Sequence, residues 1–154
     1  MTLRDGLNET LKQAMKARDQ KRVSTLRLVL AALKDRDIAN RTEENRAGVG
    51  DDEILSLLAK MIKQREESAE TYEKGGRPEV AAGEREEIAI IREFMPKQMN
   101  EDEIEQAVAK TIAETSAMSM KDMGRVMAAL KERYAGQMDF GKAGAAVKAQ
   151  LAGT

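Results

Sequence analysis

The chain has no cysteine, histidine or tryptophan among its 154 residues, and only two tyrosines, two phenylalanines and two prolines. Without cysteine it has neither a disulfide framework nor a thiol nucleophile, which favours a reducing compartment, and we expect the cytoplasm. Without histidine and cysteine it lacks the usual zinc ligands and the commonest general base. We therefore predict no cofactor, and any metal site would need oxygen ligands alone.

Long apolar runs are also missing. No stretch approaches the roughly 20 residues that a membrane-spanning helix needs, and the first residues match neither a signal peptide nor a transit peptide. We expect no membrane contact. Charged residues make up 34% of the chain and hydrophobic ones 42%, which indicates a globular protein. The scarcity of aromatics and the abundance of Ala, Leu, Met, Lys and Glu favour helices over sheets.

Capping residues and helix breakers divide the chain into seven predicted helices. Their expected bounds are Thr2 to Arg18, Asp19 to Asn40, Asp51 or Asp52 to Lys74, Pro78 to Met95, Asn100 to Thr115, a helix capped by Ser119, and a helix capped by Asp139. Residues 42–50 lack periodicity and are predicted to be a linker. We predict an all-α protein with a four-helix module over residues 1–96 and a three-helix bundle over residues 97–154.

The second predicted helix has few polar positions and should be largely surrounded by other helices. Its apolar residues are Val23, Leu26, Leu28, Val29, Leu30 and Leu33. Arg27, Lys34 and Arg41 repeat every seven residues on one face. Two interpretations stay open for this basic series: side chains that snorkel at the edge of a core helix, or a basic rail that meets a partner.

Charge is unevenly distributed although the net charge is only −1. Residues 1–46 carry 11 Lys/Arg and 7 Asp/Glu, a balance of +4; residues 47–120 carry 9 and 17, a balance of −8. Residues 121–154 carry 6 and 3, a balance of +3. A polyanion would therefore meet the two ends of the chain and be repelled by its middle, whereas a solvated helix surface explains the same pattern without a partner.

The last two predicted helices carry the candidate site. Apolar residues recur at spacings of three and four on both, and the opposite side of the first is nearly bare around Gly124 and Ala128. Glycine inside a helix costs about 1 kcal/mol relative to alanine, so either a neighbouring helix or the backbone of a ligand should approach closely there. We predict no catalytic and no metal-binding residues. The candidate RNA-binding residues are Lys121, Gly124, Arg125, Ala128, Lys131, Lys142 and Lys148.

Methionines form a second feature of this region. Methionine adapts to irregular surfaces and is frequent at promiscuous interfaces, but it also fills ordinary cores, so both interpretations stay open. The residues concerned are Met118, Met120, Met123, Met127 and Met138.

Several stretches, in order, resemble the YqeY family, whose fold is shared with the tail of GatB, the B subunit of the tRNA-dependent amidotransferase. They are STLRLVLAALK at 24–34, KQREES at 63–68, YEKGGR at 72–77, EEIAII at 86–91, FMPKQ at 94–98, DMGRVM at 122–127, Asp139, and Val147 with Lys148. Together they cover nearly the whole chain, although each alone is a weak signal.

The resemblance implies two all-helical modules and a link to tRNA-dependent amidation, in which the GatB tail is thought to engage tRNA. The serine- and glycine-rich amidase site and the kinase-like body of that system have no counterpart here. Any glutamine-dependent carbon–nitrogen ligase activity would therefore rest on family analogy alone. We expect a non-catalytic adaptor that binds tRNA or another structured RNA. The alternative is a protein-interaction module that docks on a tRNA synthetase or an amidotransferase complex.

Overall fold

The computed structural model describes residues 2–42 and 47–153. Within these ranges the regular structure is helical, as predicted, and residues 43–46 of the predicted linker lie outside them. The elements are α1 (Leu3–Lys16), α2 (Gln20–Ala39), α3 (Asp51–Lys74), α4 (Pro78–Arg92), α5 (Glu101–Thr115), a 3-10 turn (Met120–Asp122), α6 (Met123–Arg133) and α7 (Phe140–Ala152). The chain divides into two compact units, one ending at Met95 and the other beginning at Pro96.

The first unit is built from α1 to α4. Side-chain caps fix two of its helix starts, because Thr2 accepts from the amide of Asp5 and Asp19 accepts from the amide of Arg22. Pro78 occupies the first turn of α4, where its missing amide hydrogen costs nothing. The helices α3 and α4 pack along each other, and α1 and α2 form a second pair. The core between them contains Leu7, Leu26, Val29, Leu33, Ile54, Leu58 and Ile91.

The helix α2 is not largely surrounded, so that expectation was wrong. Leu26, Val29 and Leu33 are buried on one side, but Leu28 is 49% exposed and Ile38 is 60% exposed on another. The apolar residues are therefore divided between two faces of the helix. The high apolar content of α2 reflects a core face together with an uncovered outer face.

A polar latch joins α1, α2 and the segment that leads into α3. Arg4 donates to both carboxylate oxygens of Asp37 at 2.7 and 2.9 Å and to the carbonyl of Val49 at 3.0 Å. Asp37 also accepts from the amide of Val49 at 2.9 Å, and these bonds lower the pKa of Asp37, the bond from Arg4 most strongly. Gly48 lies against this pair with φ +93°, a conformation that L side chains rarely adopt.

The second unit contains α5, α6 and α7, which all pack against one another. Asn100 and Glu103 form a reciprocal capping box at the start of α5. At the start of α7, the Asp139 carboxylate accepts from the amides of Gly141 and Lys142. The core of this unit is formed by Ile104, Ala107, Val108, Val126, Leu130, Met138, Ala143, Val147 and Leu151.

Candidate nucleic-acid interface

A short 3-10 turn sets the start of α6. The side-chain oxygen of Ser119 accepts from the amide of Lys121, and the Asp122 carboxylate accepts from the amides of Met118 and Ser119 at 2.9 and 3.3 Å. These backbone bonds, that from Met118 first, lower the pKa of Asp122. The turn therefore holds the exposed Lys121 two residues before α6 begins at Met123.

That outer face carries five of the predicted site residues. At about 3.6 residues per turn these positions fall on one side of a helix, and all five are exposed, whereas Val126 and Leu130 on the opposite side are buried. We call this surface the α6 face. It consists of Lys121, Gly124, Arg125, Ala128 and Lys131.

Gly124 lies in open space. A Cβ placed on it would meet nothing within 4 Å, so close packing by a neighbouring helix does not explain this glycine among the described residues. Helix packing occurs instead at Gly144 on α7, where a Cβ would lie 3.9 Å from the methyl of Met127 and 4.0 Å from that of Met123. The bare centre of the α6 face is accessible to a ligand.

Carboxylates reduce the positive charge of the α6 face. Arg125 forms an ion pair with Asp122 at 3.2 Å, and Glu132, which helical spacing places on the same face, is exposed. Sequence reasoning did not weigh Glu132, although a helical projection shows it. Within the described residues, Lys121 and Lys131 have no carboxylate partner and are the cations most available to a polyanion.

The two predicted lysines of α7 lie on different flanks of that helix. Lys142 points towards α5, because its Nζ lies 3.7 Å from Glu101. Lys148 follows Gly144 by one turn and therefore lies on the flank that meets α6. Lys148 therefore lies on the flank of α7 that packs against α6, and Lys142 lies on the flank towards α5.

The methionines divide between the two interpretations, core packing and an interaction surface. Met138 is buried, and Met123 and Met127 pack against the core. Met118 is 80% exposed and Met120 is 42% exposed, beside Lys121. The candidate surface therefore has an apolar edge.

Three carboxylates on the later turns of α3 form ion pairs with Lys or Arg side chains. Glu66 pairs with Arg92 and Glu73 with Arg85, both at 2.6 Å, and Glu70 pairs with Lys74 at 3.1 Å. In the part of the chain that the structure describes, no three acidic side chains are grouped to hold a metal ion. Over the same residues, no helix has the length and apolar character needed to cross a bilayer.

The class that these features define is a small all-helical protein of two compact units with an exposed basic helix face. The family model described as Yqey-like protein matches residues 4–151. The chain belongs to this family.

The chain is similar to several curated yeast proteins named altered inheritance of mitochondria protein 41, mitochondrial. The Lachancea thermotolerans protein is 29% identical over 111 residues, covering 71% of this chain and 57% of its own length. A Saccharomyces cerevisiae protein is 30% identical over 110 residues, 69% of this chain and 56% of its own. For Vanderwaltozyma polyspora the identity is 29% over 90 residues, with 58% and 46% covered. The chain spans about half the length of these relatives.

Proposed function

We propose that the C-terminal unit binds the phosphate backbone of tRNA or another structured RNA through the α6 face, and that the chain acts as a non-catalytic adaptor in the cytoplasm. The observation that carries the proposal is the open Gly124, flanked by Lys121 and Lys131. A helix surface without large side chains lets a phosphate approach the backbone closely, and the ammonium groups supply the attraction.

The chemistry of the surface favours recognition of shape and backbone over reading of bases. Single-stranded bases are bound mainly by stacking on aromatic rings, and the α6 face contains none. Structured RNA presents closely spaced phosphates that do not require such stacking. The resemblance to the GatB tail supports tRNA as the first RNA to test.

A salt-dependent titration of bulk tRNA tests the proposal. Each phosphate contact to a duplex contributes a slope of about −0.9 to log K against log salt, so three contacts should weaken binding about 40-fold between 50 and 200 mM salt. The double variant Lys121→Gln with Lys131→Gln should reduce the magnitude of this negative slope by about 2 and weaken binding at low salt.

The matched control is Lys60→Gln with Lys63→Gln. Both lysines are exposed on α3 and have no ion pair within the described residues. Each double variant removes two positive charges, so the two variants change the net charge equally. Binding that is equally strong at both salt concentrations, or equally weakened by the two double variants, would contradict the α6 face as the RNA site.

The exposed Met118 and Met120 favour a second candidate, a protein-interaction module that docks on a synthetase or amidotransferase complex. Nuclease treatment before affinity capture separates the two. A captured partner that survives nuclease, but is lost with Met118→Ser and Met120→Ser, would favour docking through this apolar edge.

A further inference from the structure

The outer face of α2 combines exposed apolar and charged side chains that the RNA proposal does not use. Spacing along the helix places Arg27, Ala31, Lys34 and Ile38 on one side, with Leu28 and Asp35 at its margin, and all six are exposed. We call this set the α2 face. The apolar side chains of Leu28 and Ile38 contribute nothing to binding a phosphate backbone, so a polyanion is a poor match for this face. An apolar surface with charged margins is typical of a protein interface.

Two of the three charges on the α2 face, Arg27 and Asp35, are arranged symmetrically about Ala31. Arg27 and Asp35 stand four residues before and four residues after Ala31, about 6 Å along the helix in either direction. Both are exposed, and neither has an ion pair within the described residues. Some cations of this unit are paired, for example Arg22 with Glu93 and Arg65 with Glu87, whereas Lys34 on the same face has no ion pair within the described residues. Arg27 and Asp35 therefore carry opposite, unpaired charges at equal distances from a small residue.

We propose that the α2 face is the interface of a homodimer, in which two copies of α2 cross in antiparallel orientation at Ala31. A two-fold axis through Ala31 places Arg27 of each copy opposite Asp35 of the other, so one set of residues forms both ion pairs. Alanine at the crossing point permits close approach of the backbones.

The size of the interface sets the expected affinity. One helix face from each copy is at the small end of specific interfaces, so we expect a Kd on the order of 10–100 µM. Sedimentation equilibrium of the full chain from about 1 µM to about 1 mM covers that range. A protein that stays monomeric throughout would overturn the proposal.

Charge reversal tests the pairing. Arg27→Asp or Asp35→Arg alone places like charges opposite each other twice, and should weaken dimerisation about tenfold, since each exposed pair changes an equilibrium constant by about 1.4- to 2.3-fold in either direction. The double variant restores opposite charges and should restore the wild-type Kd. Lys63→Asp changes net charge as Arg27→Asp does, on a different helix, and should leave the Kd unchanged. Single reversals without effect, or a double variant that stays weak, would refute this register.

Cysteine cross-linking tests the crossing point, because the natural chain contains no cysteine. A disulfide requires Cβ atoms about 3.5–4.5 Å apart, so Ala31→Cys should oxidise readily to a covalent dimer. Ala59→Cys, at an exposed position of α3, provides the control. Cross-linking of Ala31→Cys no faster than the control would place the axis elsewhere. If Arg27→Asp weakens tRNA binding and the wild type is monomeric, the α2 face is a polyanion surface and the dimer is wrong.

Discussion

Replacing Gly124 with alanine separates the two explanations for a glycine inside α6. The added methyl enters open space, so its effect on folding is set by helix propensity. Alanine should increase the free energy of unfolding of the second unit by about 1 kcal/mol. For a unit of this size, that corresponds to a rise in Tm of about 4–8 °C, which calorimetry of the full chain measures.

The same substitution should weaken tRNA binding. If a phosphate sits against the bare backbone, the methyl displaces it, and loss of a contact worth about 1 kcal/mol lowers affinity about fivefold. Gly6→Ala is the matched control, because Gly6 lies in α1 and its Cβ also meets nothing within 4 Å. It should stabilise the first unit and leave tRNA binding unchanged.

Two results would refute this reasoning about Gly124. A lower free energy of unfolding would mean that another group packs against the glycine, so that the surface is not free. Unchanged tRNA affinity in a stabilised variant would mean that no ligand backbone approaches Gly124, and the RNA proposal would then lose the observation that carries it.

Three further predictions concern the first unit, and urea unfolding followed by far-UV circular dichroism measures each. Gly48→Ala should lower the free energy of unfolding by about 2 kcal/mol or more, because its Cβ would lie 2.5 Å from Arg4 Nη2 and 2.8 Å from Asp37 Oδ1 at a positive φ; a change below about 0.5 kcal/mol would contradict the latch. Thr25→Val should be neutral or raise stability by up to about 1 kcal/mol, since the buried Thr25 hydroxyl has no hydrogen-bond partner among the described residues; a loss above about 1 kcal/mol would show that the hydroxyl is bonded. The lowered pKa of Asp37 should make its contribution present above about pH 4 and lost progressively as pH falls further; Asp37→Asn should flatten that acid dependence, and an unchanged slope would exclude this carboxylate as its source.

Local signals were sufficient to predict the helices. The caps predicted at Asp19, Asn100 and Asp139 all accept backbone amides in the structure. An N-cap bond joins residues two or three positions apart, so it can be predicted without knowing how the helices pack. Helix ends were less exact: α4 ends at Arg92, three residues before the predicted Met95, because the chain leaves the helix in turns before Pro96.

Faces were harder to predict than helices. The apolar residues of α2 predicted burial, but a sequence does not show how many sides of a helix its neighbours cover, and Leu28 and Ile38 stayed exposed. Lys142 and Lys148 share a helix and a charge, yet only Lys148 lies on the flank towards α6. Which face of a helix is covered, and which flank a lysine lies on, depends on tertiary contacts. Composition and residue spacing do not show those contacts.

The two proposed surfaces can be tested independently because they lie in different units of the chain. Arg27→Asp alone disturbs the α2 face, and Lys63→Asp, which changes the net charge by the same amount on a different helix, controls for nonspecific attraction for RNA. Neutralising Lys121 and Lys131 changes the α6 face and leaves every residue of the α2 face intact. If dimerisation responds only to Arg27→Asp and the salt slope of tRNA binding only to the loss of Lys121 and Lys131, each surface has its own ligand. If the salt slope responds to both, dimerisation and RNA binding are coupled, because a dimer presents two α6 faces to one RNA and raises the effective concentration of the second.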